Sequence, residues 1–279
     1  IKASGLAAGK GVIIAQNLDE AIKAVEDIMV DEKFGNAGNQ VVIEEFLDGV
    51  EASILSFTDS KVIVPLLSAK DHKKIGEDET GLNTGGMGVI SPNPFVTDEI
   101  FEKFKSDIME PTLKGMQSEG MDFAGVIFFG LMITKKGVYL LEYNMRMGDP
   151  ETQAVLPLLE NDLLELIEKS FDKKLSEVKV NWKPLHSCCV VAAAGGYPES
   201  YRKGDEIAGV LDFKETADNK VFICGAKVED GKLLTNGGRV LNAVALGNTL
   251  EEAQKKAYEL LKTINFEGMY FRKDIGGRF

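Results

Sequence analysis

Apolar residues at Leu18, Ala21, Ile22, Val25, Ile28 and Met29 recur at the spacing of one helix face, with Asn17 placed as a cap and Glu20 three residues on. A helix is predicted there, packed on a small antiparallel sheet. Shorter apolar runs predict strands at 12–15, 41–46, 52–58 and 62–67, the last two joined at Asp59-Ser60. Periodicity then stops in a glycine-rich stretch from Ala69 to Val89, a loop long enough by ordinary loop lengths to be functional. It resumes as a helix at 98–115, strands at 125–134 and 137–144, and a second amphipathic helix at 151–171. Over 172–184 the pattern turns charged and irregular, which predicts a boundary between a domain of 1–178 and one of 179–279. In the second, an apolar strand at 186–194 and a Gly195-Gly196-Tyr197-Pro198 turn precede short strands near 209–213, 221–227 and 232–234, and a helix at 250–264 closes it.

Composition narrows the function. A chain of 279 residues holds about two domains, and a net charge of −12 disfavours nucleic acid and anionic membrane as partners, because both demand broad basic surfaces. No run of about eighteen apolar residues is present, and the first thirty residues do not resemble a signal peptide. Three cysteines show neither a disulfide framework nor a zinc spacing, so a reducing cytoplasm and buried, inert thiols are expected. The chain does not start with Met, and a strand end at its second residue, which must sit inside a sheet, is an odd place for a natural N-terminus. This predicts a longer parent chain whose beginning is absent here.

The chemistry concentrates in Glu142-Tyr143-Asn144-Met145-Arg146-Met147-Gly148-Asp149. On a strand, residues two apart share a face, so a carboxylate, an amide oxygen and a guanidinium would project toward one spot. Carboxylate and amide oxygens suit a hard cation such as Mg²⁺, and an arginine can steady a transferring phosphoryl or an acyl phosphate. At the other end of the chain, Gly5-Leu6-Ala7-Ala8-Gly9-Lys10-Gly11 has the composition of a phosphate-cradling loop. Its glycine spacing is not that of a Walker loop, and it leads into an apolar run and not a helix, which excludes a dinucleotide fingerprint. Each piece alone has a plainer reading as a polar surface strand or a flexible turn. Their order along one chain changes that reading.

These segments, with Asp71-His72-Lys73-Lys74, Asn83-Thr84-Gly85-Gly86-Met87-Gly88, Thr235-Asn236-Gly237-Gly238-Arg239-Val240 and Asp274-Ile275-Gly276, resemble the motifs of the phosphoribosylamine–glycine ligases of the ATP-grasp superfamily. The resemblance covers essentially the whole chain. It implies an α+β class, an ATP-grasp fold of antiparallel sheets with packed helices followed by a small α+β C-terminal domain. For ATP it implies Lys2 at the α-phosphate, the loop with Gly5, Gly9, Lys10 and Gly11 over the β and γ phosphates, the backbone of Glu45, Phe46 and Leu47 at the adenine, and Glu51 at the ribose. Glu142 and Asn144 would hold Mg²⁺ or Mn²⁺, with few protein ligands because 125–132 contains no carboxylate. Substrate contacts fall on Asp71, His72, Lys73, Asn83, Thr84, Gly85, Gly86, Met87, Gly148 and Asp149, with Arg146 both binding substrate and acting at the reacting centre. His72 and Lys73 would supply cations, and His186 is expected as a packed core histidine.

The implied reaction joins glycine to 5-phosphoribosylamine at the expense of ATP, through glycyl phosphate. Partners would be these small molecules alone, and the oligomeric state is left open. Two alternatives stand beside it: another ATP-grasp ligase or carboxylase with a different acceptor, and a nucleotide-binding module without turnover, since this stretch alone is expected to bind ATP weakly and be inactive.

Overall fold

The computed structural model describes residues 1–5, 7 and 11–277, which form two compact units, Ile1–Asp48 and Gly49–Phe279. In the first, strand β1 (Lys2–Ala3) pairs antiparallel with β2 (Val41–Val42) beside helix α1 (Leu18–Met29). The helix begins where the pattern places it. Asn17 Oδ1 accepts from the Glu20 amide at 2.9 Å, while Glu20 reaches back to Asn17 Nδ2 at 3.1 Å. Ala24 and Ile28 point inward, and Gly38 lets the following turn close on the helix, since a Cβ there would lie 2.2 Å from the Ile28 carbonyl oxygen. The strand expected at 12–15 reduces to one bridge between Val12 and Lys2, and that expected at 41–46 stops at Val42. β1 offers only two residues to pair with, so the flanking Ile14, Ile43 and Phe46 stay exposed.

The second unit is built in chain order from β3 (Val50–Thr58), β4 (Ile63–Asp71), β5 (Lys74–Gly76), β6 (Thr80–Asn83), β7 (Gly88–Ser91), α2 (Asp98–Phe104), α3 (Glu110–Ser118), β8 (Gly125–Thr134) and β9 (Gly137–Asn144). It continues with α4 (Glu151–Val155), α5 (Leu163–Phe171), β10 (His186–Ala193), β11 (Asn219–Ile223), β12 (Ala226–Glu229), β13 (Lys232–Thr235), β14 (Arg239–Gly247) and α6 (Leu250–Leu261). Eight strands make one antiparallel sheet in the order β11-β14-β10-β7-β4-β3-β8-β9, which gives the expected α+β class. Short β7 joins β4 to β10, so residues on both sides of position 178 share this sheet.

Alternation along β3 and β8 sorts their side chains between two cores. Ala52, Ile54, Ile127, Phe129 and Leu131 face α2 and α3, where Phe104 meets Phe129 edge-on at 5.1 Å between ring centres. Leu55, Phe57 and Phe128 face α4 and α5. A third core lies between α6 and the strands β10 and β14. Neighbours Cys188 and Cys189 are both buried and divide between the two faces of β10.

Several boundaries differ from the pattern's. The helix expected at 98–115 runs to Ser118 through a π-turn at Lys105–Met109. That expected at 151–171 is two helices, because a single turn at Leu156–Leu158 follows Val155 around Pro157 and Asp162 caps a fresh start by accepting from the Leu164 amide at 2.8 Å. No strand forms at 209–213. Gly209 has φ +83° and a Cβ there would lie 2.0 Å from the Thr263 carbonyl oxygen, so the chain turns against 263–264. β14 had no counterpart in the pattern reading, although Val240 to Leu246 is a nearly continuous apolar run of the kind a strand covered on both faces carries. His186 is only half-buried at the start of β10, and Cys224 is exposed, against expectation for both. No helix among the described residues is long and apolar enough to cross a membrane.

Candidate functional site

A β-bulge decides which way the polar strand end faces. β9 pairs Leu140 with Leu131 but Glu142 with Gly130, so Leu141 is an extra residue on its strand. Val138 and Leu140 lie on the face covered by α2 and α3, and uninterrupted alternation would send Glu142 and Asn144 there too. The bulge reverses the parity. Tyr143 takes the apolar side, its ring edge-on to Phe129, and Glu142 and Asn144 emerge on the opposite face. There Asn144 Nδ2 donates to Glu142 Oε1 at 3.3 Å, and Arg146 Nη2 donates to Asn144 Oδ1 at 3.4 Å. Arg146 Nη1 donates to the Met147 carbonyl at 2.9 Å. The structure therefore unites the three residues expected to act together. Gly130 leaves room for this, because a Cβ there would stand 3.0 Å from Glu142 Cγ.

The same sheet face carries charges from β3 and β4. Glu51 and Ser53 of β3 share the parity of Leu55, and Asp71 of β4 that of Ala69. Lys73 Nζ meets Glu51 Oε2 at 2.5 Å, so Glu51 stands in an ion pair. Burial lowers the Lys73 pKa, but Glu51 and Asp71, with Glu142 behind them, outweigh it and hold the ammonium charged. Glu151, at the start of α4, is buried and accepts from Ser53 Oγ at 3.3 Å. Burial pushes its carboxyl up. It pushes Asp71 well up, and the charge of Glu151 adds to that. The sequence reading did not single out Glu151, whose place in a helical pattern hides that it points inward.

The glycine-rich stretch 69–89 is more ordered than a loop: it contains the β5–β6 hairpin. Thr84 donates from Oγ1 to the Lys73 carbonyl at 2.7 Å and accepts from the Gly86 amide at 2.9 Å, which folds the turn onto the end of β4. Gly86, at φ +111°, sits where a Cβ would come within 2.6 Å of both Asp71 Oδ1 and Pro150 Cδ. Arg239 ties this turn to the next one. Its Nη1 donates to the carbonyls of Gly85 and Asp149, each at 2.7 Å, and its Nη2 meets Asp149 Oδ2 at 3.2 Å. Tyr197 Oη accepts from the Gly85 amide at 2.9 Å. Asn83 pairs with Lys74 at the hairpin end, and Met87 is fully buried, so it packs beneath the turn. Gly148 is buried next to Glu151: a Cβ there would lie 2.5 Å from Glu151 Oε2.

His72 corrects an expectation. It is 3% exposed with Nδ1 3.1 Å from the Gly88 carbonyl oxygen, and burial together with Lys70 and Arg272 lowers its pKa to about 4. It is neutral and cannot serve as the cation the sequence suggested. It follows directly on Asp71, the last residue of β4.

In the unit Ile1–Asp48, Lys2 Nζ pairs with Glu44 Oε2 at 2.9 Å. The Ala3 amide donates to the Gly11 carbonyl at 2.8 Å, and Gly5 approaches Ala37 so closely that a Cβ would lie 2.7 Å from its Cα. Glu45, Phe46 and Leu47 belong to no helix or strand, and Phe46 is exposed. Gly9 and Lys10 lie outside the described residues.

Among the described residues no group of three or more His, Cys, Asp and Glu could hold a metal ion. The oxygen donors available on the β9 end are one carboxylate, Glu142, and one amide, Asn144. Its amide now turns nitrogen toward Glu142, and an ion shared by both would take it turned over, an exchange of nearly isosteric ends.

Comparison with known proteins gives consistent matches. Residues 1–152 match the family described as phosphoribosylglycinamide synthetase, ATP-grasp (A) domain, and residues 187–278 match its C domain. A phosphoribosylamine–glycine ligase of Fusobacterium nucleatum is 59% identical over 99% of this chain, and one of Clostridium acetobutylicum is 56% identical over 99%. The chain spans 65% of the length of each. The crystal structure of phosphoribosylamine–glycine ligase from Thermotoga maritima superposes with a TM-score of 0.89 at 35% identity, covering 98% of this chain and 68% of that one. The biotin carboxylase domain of Hydrogenobacter thermophilus 2-oxoglutarate carboxylase, solved with MgADP and bicarbonate, shares the fold at a TM-score of 0.70 and 14% identity, covering 96% of this chain and 57% of that one.

Proposed function

The chain belongs to the phosphoribosylglycinamide synthetase family, an ATP-grasp fold, and from that premise we propose that it is the nucleotide- and metal-handling portion of an ATP-dependent ligase that joins glycine to 5-phosphoribosylamine. The carboxylate of glycine attacks the γ-phosphorus of ATP, releasing ADP and forming glycyl phosphate. The amine of 5-phosphoribosylamine then attacks the acyl carbon, phosphate leaves, and the new amide is glycinamide ribonucleotide after loss of a proton. The observation that carries this reading is the Glu142–Asn144–Arg146 chain of hydrogen bonds, turned by the Leu141 bulge onto the face that holds Lys73.

Arg146 is the reacting-centre cation of this proposal: its planar fork suits the oxygens of an acyl phosphate. Its contact to the Met147 carbonyl and to Asn144 preorganises it. Positioning and charge neutralisation do most of the work in such a step, so no histidine base is required. Glu142 and Asn144 fit a hard divalent ion, Mg²⁺ or Mn²⁺, that keeps most of its ligands as phosphate oxygens and water, because the facing strand offers Gly130 and no second carboxylate. When bound, the ion supplies charge neutralisation across the polyphosphate. In the first unit, Lys2 is assigned to a phosphate and the backbone of Glu45 to Leu47 to the adenine edge, as membership of the family implies. Glu51 is kept as the ribose contact, now with Lys73 as its neighbour, and the turns at Asn83 to Met87 and Gly148-Asp149 as substrate contacts. The division at 178/179 is supported by the two family matches, which end at 152 and restart at 187. The unpaired state of all three cysteines supports a cytoplasmic setting.

Glu142→Gln tests the reading. In this chain, calorimetric titration should show that Mg²⁺ no longer strengthens ATP binding, while the melting temperature stays within a few degrees of the parent. In the longer protein, glycine-dependent ADP release should fall by at least about two orders of magnitude, the scale of losing one preorganised charge contact. Undiminished Mg²⁺-dependent binding and turnover would overturn it.

A further inference from the structure

The sheet forks next to Glu51. β3 and β4 pair from Thr58 with Ile63 as far as Ser53 with Ala69 and stop there, while β4 runs on as the partner of β7, Lys70 with Ile90 and Asp71 with Val89. Continued pairing would set Glu51 directly opposite Asp71, and like charges placed so on one face of a sheet are destabilising. The two strand ends separate instead, and Glu51 keeps its place in the sheet through the other edge of β3, opposite Met132 of β8.

Asn93 fills the fork. It comes from the segment after β7, on the far side of β4 from β3, and is 1% exposed. Its Nδ2 donates to the Ala69 carbonyl at 3.2 Å and to the Glu51 carbonyl at 3.4 Å, one bond to each diverging strand. Its Oδ1 accepts from the Phe95 amide at 3.0 Å, which fixes which end of the side-chain amide faces the fork. Its backbone amide donates to Ser68 Oγ at 3.1 Å and so anchors the residue to β4. A buried amide with both ends engaged acts as a rigid spacer. Glu51 is thereby held at two points, its main chain by Asn93 and its carboxylate by Lys73. A shift of the main chain would carry the carboxylate with it.

We propose that Asn93 is a positioning residue for the nucleotide: by spacing the ends of β3 and β4 it sets the Glu51 carboxylate against the ribose, and so sets how much of the nucleotide's affinity the 2′- and 3′-hydroxyls supply. This rests on the ligase reading above, in which Glu51 is the ribose contact, and extends it to a residue that touches no substrate. A displacement of about 1 Å is enough to spoil such a contact.

Calorimetric titration of the chain, with Mg²⁺ and a non-hydrolysable ATP analogue beside the 2′,3′-dideoxy form of that analogue, tests the inference. Asn93→Asp keeps the size and the acceptor for the Phe95 amide and removes both donors. It should weaken the hydroxyl-bearing form about fivefold, the scale of one net hydrogen bond, and leave the dideoxy form within about twofold of the parent. Asn93→Ala removes the same donors and serves if the first variant fails to fold. Glu51→Ala should abolish the preference for hydroxyls, and adding Asn93→Asp to it should cost no further affinity, because residues that act through one group are not additive. A purely structural Asn93 would weaken both nucleotide forms alike, or add its loss to that of Glu51→Ala; either result overturns the inference and leaves the ligase reading standing. If the parent shows no preference for hydroxyls, or Glu51→Ala retains it, Glu51 is not the ribose contact and the inference falls together with that assignment.

Discussion

At the scale of single residues, burial outweighs composition in deciding what a charged or titratable group can do. Lys73 and His72 are adjacent in a basic motif, yet one is a charged partner of Glu51 and the other a neutral core group. The His72 pKa, lowered to about 4 from the 6.5 expected unfolded, has a signed consequence. Unfolded imidazole binds a proton that the folded one refuses, so its contribution is complete above pH 6.5 and is lost as pH falls toward 4, roughly 3 kcal/mol in all. Asp71 and Glu151, with raised carboxyls, act in the opposite sense and gain as pH falls. His72→Gln retains a donor for the Gly88 carbonyl and should flatten the acid side of a denaturation midpoint-versus-pH curve. An unchanged slope between pH 6.5 and 4 would refute the assignment. Thiols follow the same logic: burial pushes Cys188 up to about 12, Cys189 well above the usual thiol range and Cys224 up as well, but Cys224 is the exposed one and should be the one that reacts with a thiol reagent before unfolding. Two reactive thiols in the native protein would contradict that.

At the scale of elements, the sequence carried most of the scaffold and half of the site. The α1 cap and the β8 and β9 spans were legible because local signals fixed them: an Asn-x-x-Glu box, and long apolar runs each opened by a glycine. The Glu142, Asn144 and Arg146 grouping was legible for a reason that was only partly right. Alternation by two does unite them, but the face they reach is set by an extra residue whose presence depends on the register with β8, a long-range fact. Glu151 and the role of Arg239 were illegible because both arise where turns distant in sequence meet. Deleting Leu141 should therefore turn Glu142 and Asn144 against the Phe129 and Leu131 core, lower stability by several kcal/mol and abolish Mg²⁺-dependent nucleotide binding. Leu141→Ala keeps the extra residue, and its nucleotide affinity should stay within about threefold of the parent. Equal loss in both variants, measured by titration, would mean that the side chain matters and the register does not.

At the scale of the whole molecule, contacts far apart in sequence close the larger unit. Arg272 is 1% exposed and grips Asp274 through two parallel hydrogen bonds of 2.8 and 2.6 Å, Glu79 at 2.9 Å and the Lys74 carbonyl at 3.0 Å, tying the C-terminal segment to the β5–β6 hairpin. Arg272→Met leaves that carbonyl without its donor and Asp274 with the Asp78 amide but no cation, and should cost about 3–5 kcal/mol in urea denaturation, a loss that Asp274→Asn combined with it should partly restore. A change below about 1 kcal/mol would show the clamp to be dispensable. The sheet itself has a consequence in time. β7 finds β4 soon after both are made, but its other edge waits for β10, whose first residue follows Ser91 by roughly 95 positions. At ordinary ribosomal speeds of about 5–20 residues per second, that leaves a bare, apolar strand edge for roughly 5–20 s in every round of synthesis. The brevity of β7, four residues long, keeps that edge a poor template for a neighbouring nascent chain while it waits.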